Sequence, residues 1–122
     1  MKNHLILIVD DDQNIRDILA QLLLYNNYKV IEARNGREGF DRIKENNPDL
    51  AITDYEMPNM DGLELIRAVR AEKKYNNIPI FFMSGILDDI LATDAKKAGA
   101  NEFMNKPLDL VKLIQKIKKW LP

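Results

Sequence analysis

The side chains that could do chemistry are few and mostly acidic. Asp10, Asp11 and Asp12 form an unbroken run, Asp54 closes a short apolar stretch, and Ser84 and Lys106 each sit at the end of another expected strand. Carboxylates about 4 Å apart repel by roughly 4 kcal/mol at an effective dielectric near 20, so several around one pocket need protons or a cation. An oxygen-only donor set with few protein ligands suits Mg2+, which keeps waters and accepts phosphate oxygens. Capping the first helix accounts for Asp12 but needs only one aspartate, which leaves Asp10 and Asp11 for other work. Other chemistries fall away. With no cysteine there is no disulfide, thiolate catalysis or cysteine-bound metal. With His4 as the only histidine, a histidine zinc site and a Ser-His-Asp triad are both excluded.

The elements that must position these groups are legible in the hydrophobic pattern. Leu5–Val9 is continuously apolar and β-branched, the mark of a strand buried on both faces. Ile15, Ile18, Leu19, Leu22 and Leu23 recur at helical spacing up to Asn26-Asn27. A second strand spans Tyr28–Ala33, and a helix with Phe40 and Ile43 inward ends at Asn46-Asn47-Pro48. Leu50–Ile52 leads to Asp54, and the Pro58 to Gly62 cluster forces a loop before a helix marked by Leu63, Ile66 and Val69. Glu72–Asn77 reads as loop, and Ile78–Met83 as a strand stopping at Ser84-Gly85. Ile86, Ile90, Leu91, Ala95 and Ala98 give a fourth helix closing at Gly99. Asn101–Asn105 is a short fifth strand. Leu110, Val111, Ile114 and Ile117 mark a last helix with Lys112, Lys116, Lys118 and Lys119 facing water.

Strands alternating strictly with helices mean an α/β fold with a parallel sheet covered on both faces. Five units and right-handed crossovers favour one doubly wound, flavodoxin-like (βα)5 sheet of order 2-1-3-4-5. Ligands of such sheets bind outside the carboxyl ends of the strands, at the switch point. That order gathers Asp10, Asp11 and Asp54 in one crevice, flanked by Ser84 and Lys106. The 122 residues read as one domain, 1–122, without linker or repeat. A net charge of −1 gives no basic field for nucleic acid or a membrane surface. No leader segment or bilayer-length apolar run is visible, so a cytoplasmic location is expected.

In these motifs the chain resembles the response-regulator receiver (CheY-like) domains of two-component signalling. The likeness rests on Ile8-Val9-Asp10-Asp11, Pro48-Asp49-Leu50 through Asp54, Met57-Pro58-Asn59-Met60-Asp61-Gly62, Ser84-Gly85, Gly99-Ala100 and Lys106-Pro107, in order along the whole chain. It implies that Asp54 is the phosphoacceptor. Mg2+ would be held by Asp11, Asp54 and the backbone carbonyl of Glu56, with Asp10 reaching it through water. Lys106 would pair with Asp54 and later with the phosphoryl group, aimed by a cis bond to Pro107. Ser84, beside Gly85, would donate to a phosphoryl oxygen, and Phe103 would be the aromatic switch residue. The bland alternatives are a helix cap for Ser84, a core strand residue for Phe103 and a solvated lysine for Lys106. Implied partners are a histidine kinase or histidine phosphotransfer protein, and an effector or second copy at the face of the fourth helix, fifth strand and fifth helix. Such a protein is a signalling phosphoacceptor rather than an enzyme acting on other substrates.

The departures are Ser84 where threonine is commoner, Leu108 where phenylalanine is usual, and polar Asn105. Glu56 and Ile86 flank the pocket and are expected to tune acyl-phosphate hydrolysis. Three rival readings exist. A haloacid-dehalogenase-type phosphatase would use Asp10 and Asp12, but the chain has no room for a cap and no acidic pair after the lysine. A flavodoxin-like carrier would need a hydroxyl-rich phosphate loop where the three aspartates stand. A receiver-shaped module that is never phosphorylated would not need all five site positions filled.

Overall fold

The computed structural model describes residues 3–122. Five strands, β1 (Leu5–Val9), β2 (Lys29–Ala33), β3 (Leu50–Asp54), β4 (Ile80–Ser84) and β5 (Glu102–Asn105), form one parallel sheet in the order β2-β1-β3-β4-β5. The helices α1 (Gln13–Tyr25), α2 (Gly36–Asn46), α3 (Gly62–Arg70), α4 (Asp89–Ala98) and α5 (Leu110–Trp120) connect them or close the chain. This is the flavodoxin-like order expected from the alternation of elements. No helix among the described residues is long and apolar enough to cross a membrane.

Why the three inner strands are apolar without a break is visible in the packing. Successive side chains of a strand point to opposite faces, and here both faces are covered. Leu7, Val9, Ala51, Ile80 and Phe82 pack with Ile43, Leu65, Ile66, Val69, Leu91 and Ala95 of α2, α3 and α4. Ile6, Ile8, Leu50, Ile52, Phe81 and Met83 pack with Leu19, Leu23, Leu113 and Ile117 of α1 and α5. Each helix begins on a side-chain cap: Asp12, Asn35, Asp61, Asp88 and Asp109 accept from backbone N–H groups of α1 to α5 in turn.

Some local expectations change. The polar 72–77 segment contains a 3-10 turn, Lys73–Tyr75, because Tyr75 turns inward and is 6% exposed. The strand expected from Ile78 starts at Ile80 and runs on through Ser84. Ile86 precedes α4, and Ile90 lies on its outer side at 74% exposure; Leu91 and Ala95 are the buried pair. On α1 and α5 the buried apolar positions are Leu19, Leu23, Leu113 and Ile117, while Ile18 and Val111 are exposed. Lys116 is not free in water but donates to Glu102 Oε1 at 2.9 Å.

One guanidinium ties together the end of the sheet where β4 and β5 begin. Arg70, at the end of α3, donates to the carbonyls of Gly99, Tyr75 and Ile78 and to Asn101 Oδ1, at 3.1, 2.9, 2.8 and 2.9 Å. Gly99 closes α4 with φ +118°, where a Cβ would be strained and would also lie 2.6 Å from Arg70 Cγ.

Candidate functional site

β1 and β3 are neighbours, with Val9 beside Thr53, so the residues that follow them emerge side by side. Asp10 is fully buried and Asp54 is 3% exposed, whereas Asp11 lies at the surface. One carboxylate oxygen from each of Asp10, Asp11 and Asp54 lies within 4.8 Å of the others. Lys106, beyond the end of β5, brings its Nζ to 3.1 Å from Asp10 Oδ2 and 3.1 Å from Asp54 Oδ1. The peptide bond between Lys106 and Pro107 is cis.

The two aspartates paired with Lys106 are not in the same state. Asp10 Oδ2 accepts the lysine's hydrogen bond, and its Oδ1 accepts from the backbone N–H of Asp12 at 2.9 Å. Asp54 Oδ1 is close enough for an ion pair but is buried with no donor directed at it. Burial pushes the Asp54 carboxyl up to about 6; the charge of Asp10 adds to the rise and Lys106 opposes it. Lys106 is held above the usual lysine range, because its hydrogen bond and charge pairing with Asp10, and its pairing with Asp54, outweigh its own burial. Three carboxylates against one ammonium leave the pocket short of positive charge. An undonated buried oxygen within such an oxygen-only cluster is what a hard divalent cation would complete, so the residues fit Mg2+.

Across the mouth, Ser84 ends β4 and is fully buried. It does not cap α4, a part taken by Asp88. Its Oγ accepts from Ile86 N at 3.0 Å and donates to Glu56 Oε1 at 3.2 Å, and Gly85 N donates to the same Glu56 oxygen at 3.3 Å. Phe103 is half-buried and packs against the core on the α2–α3–α4 side.

Residues 6–118 match the family model of the response regulator receiver domain. The chain belongs to that family. Sporulation initiation phosphotransferase F of Bacillus subtilis is 33% identical over 100% of this chain and 97% of its own length. The CAI-1 autoinducer sensor kinase/phosphatase CqsS of Vibrio cholerae is 38% identical over 95% of this chain, which spans 17% of that protein. Among solved structures, the chemotaxis protein CheY4 of Vibrio cholerae superposes with a TM-score of 0.91 at 28% identity, covering 97% of this chain and 98% of the other. Receivers thus occur both as small proteins of this length and as parts of much larger ones. This receiver is a signalling domain of two-component systems.

Three contributors to the site escape the sequence reading. Arg16 donates to the Asp10 carbonyl at 2.7 Å and to Glu32 at 3.2 Å, fixing the turn after β1. Its signal was available: it shares the buried stripe of α1 with Leu19 and Leu23, an odd place for a charge. Gly62 is required because a Cβ there would stand 2.3 Å from the Asp54 carbonyl oxygen. It stands in the receiver-like loop motif, but nothing in the sequence signals this close approach to the Asp54 carbonyl. Glu56 is expected to flank the pocket and tune hydrolysis, but the contacts of its side chain with Ser84 and Gly85 are not foreseen, and no periodicity points to them.

Proposed function

We propose that residues 1–122 form a phosphoacceptor unit that takes a phosphoryl group from a histidine kinase or histidine phosphotransfer protein onto Asp54. The observation that carries this reading is the buried Asp54 oxygen without a donor, at the mouth of the sheet and 3.1 Å from Lys106. An Asp54 carboxylate oxygen forms the new O–P bond as the N–P bond of a phosphohistidine breaks. The imidazole leaves with the electron pair and takes up a proton. Lys106 holds the acceptor oxygen in place and then balances charge on the transferred group. Asp10, fixed by Asp12 N and Lys106, keeps the ammonium in position. Bound Mg2+ would supply charge neutralisation on the phosphoryl oxygens, held by Asp11, Asp54 and the Glu56 carbonyl, with Asp10 acting through water.

The Ser84 hydroxyl donates to a phosphoryl oxygen of the product. Hydrolysis by water returns inorganic phosphate and the Asp54 carboxylate, so the domain catalyses only its own phosphorylation and dephosphorylation. Output would use the α4-β5-α5 face. β5 is an edge strand paired only with β4, and α4 and α5 pack on opposite sides of the sheet, so a shift at Ser84 and Phe103 can reach both helices. An effector or a second copy of the chain would bind there.

Treatment with acetyl phosphate and Mg2+, followed by intact-mass measurement, tests the core of this reading. An adduct of one phosphoryl group is expected on the wild type and not on Asp54→Asn. An adduct at any other residue, or none, would overturn it.

A further inference from the structure

Two donors at the pocket mouth converge on one anionic oxygen. The Ser84 hydroxyl and the Gly85 N–H both point at Glu56 Oε1, at 3.2 and 3.3 Å. The hydroxyl oxygen also accepts from Ile86 N at 3.0 Å, which leaves its proton committed to Glu56. A hydroxyl and a backbone amide focused on one oxygen is a cradle for an anion. Here the anion is supplied by the chain, two residues beyond Asp54. Both contacts lie at the long end of hydrogen-bond range, so the hold is weak. A Cβ on Gly85 would meet nothing nearer than Glu56 Oε1, at 3.9 Å, so the space beside this amide is otherwise open.

We infer that the Glu56 carboxylate is an internal stand-in for the phosphoryl group, holding the Ser84 hydroxyl and Gly85 N–H in the unmodified protein and giving way when that group arrives. The inference rests on the phosphoacceptor reading of Asp54. It has two consequences. The turn after β4 is already drawn toward the pocket before phosphorylation, because Glu56 occupies the donors that would otherwise be free. A phosphoryl group must displace a carboxylate of its own charge sign, so Glu56 opposes its arrival. Glu56 is a positioning residue and takes no part in bond making.

The test pairs a measurement without any donor with one that includes a phosphoryl mimic. In the unmodified protein without metal, Glu56→Ala should shift the Gly85 amide resonance and speed its hydrogen exchange. Glu56→Gln, which keeps an acceptor oxygen, should retain most of the wild-type signal. With Mg2+ present, beryllofluoride should bind about tenfold more tightly to Glu56→Ala than to wild type, with Glu56→Gln between them. A Gly85 amide indifferent to both substitutions, or equal beryllofluoride affinity in all three proteins, overturns the inference and leaves the Asp54 reading intact. Wild-type protein that binds no beryllofluoride and gains no acetyl-phosphate adduct removes both.

Discussion

At the scale of single residues, the cost of the site is concentrated in Asp54. Its carboxyl titrates near 6 because burial and Asp10 resist its charge more than Lys106 relieves it. A carboxyl raised in the folded state from 3.8 stabilises the fold most at low pH, and that contribution fades as pH rises through about 6. Asp54→Asn should therefore stabilise the metal-free protein at pH 7.5, by on the order of 1–3 kcal/mol, with the advantage vanishing near pH 4. Urea denaturation at the two pH values checks this. An asparagine variant no more stable than wild type at pH 7.5 would contradict the charge account. Legibility at this scale was uneven. Asp10, Asp11, Asp54, Ser84 and Lys106 stood out because each lies at or just past the end of an expected strand. Glu56 was placed beside the pocket, but the partners of its side chain were not legible, because a loop carboxylate acquires them only from a strand 28 residues further on.

Among the elements, two junctions govern how firmly the site is held. Gly62 opens α3 against the end of β3, donating its N–H to the Tyr55 carbonyl at 3.0 Å. Gly62→Ala would force backbone apart at the Asp54 carbonyl and should cost about 2 kcal/mol or more in urea denaturation. Uptake of phosphoryl from acetyl phosphate should slow in step. Unchanged stability would mean that the α3 junction relaxes freely. The second junction joins β5 to α5. Burial alone would raise the Glu102 carboxyl, but hydrogen bonds from Lys116 and Trp120, with the charges of Lys116 and Lys119, hold it below the usual range. A depressed carboxyl stabilises above the unfolded-state value of about 4.5 and loses that contribution as pH falls through its folded value. Trp120, the only tryptophan, donates to Glu102 Oε2 at 2.9 Å and reports on this contact. Its fluorescence should change only as pH falls below about 4.5 in wild type, ahead of global unfolding, and Glu102→Gln should remove that step. The strands and the Asp12 cap were readable from sequence, since each rests on local pattern, whereas the cap of α4 proved to be Asp88 and not Ser84. The inward faces of α4 and α5 were not, because isoleucine and valine fit either side of a short helix and only the tilt against the sheet selects among them.

For the whole molecule, a cation held by the carboxylate cluster would couple metal binding to folding. A cation that binds the folded chain alone stabilises by mass action, by about 2.7 kcal/mol at a hundredfold excess over its dissociation constant. Millimolar Mg2+ should thus raise the melting temperature by several degrees, and Asp11→Ala should abolish the rise. An equal rise in the variant would take Asp11 out of the metal site. The sheet order was legible because parallel strands of this number have few right-handed arrangements, and the crevice then followed from topology alone.

Arg70 gives the molecule a fixed spine. Its guanidinium rivets three main-chain segments at the edge where β4 and β5 begin, far from the carboxylates. Rearrangement at the opposite edge has no slack to draw on there. Under the phosphoacceptor proposal, it would be taken up by the short stretch between Ser84 and Asp88, a flap on a stiff board that would carry a small event beside residue 54 to α4.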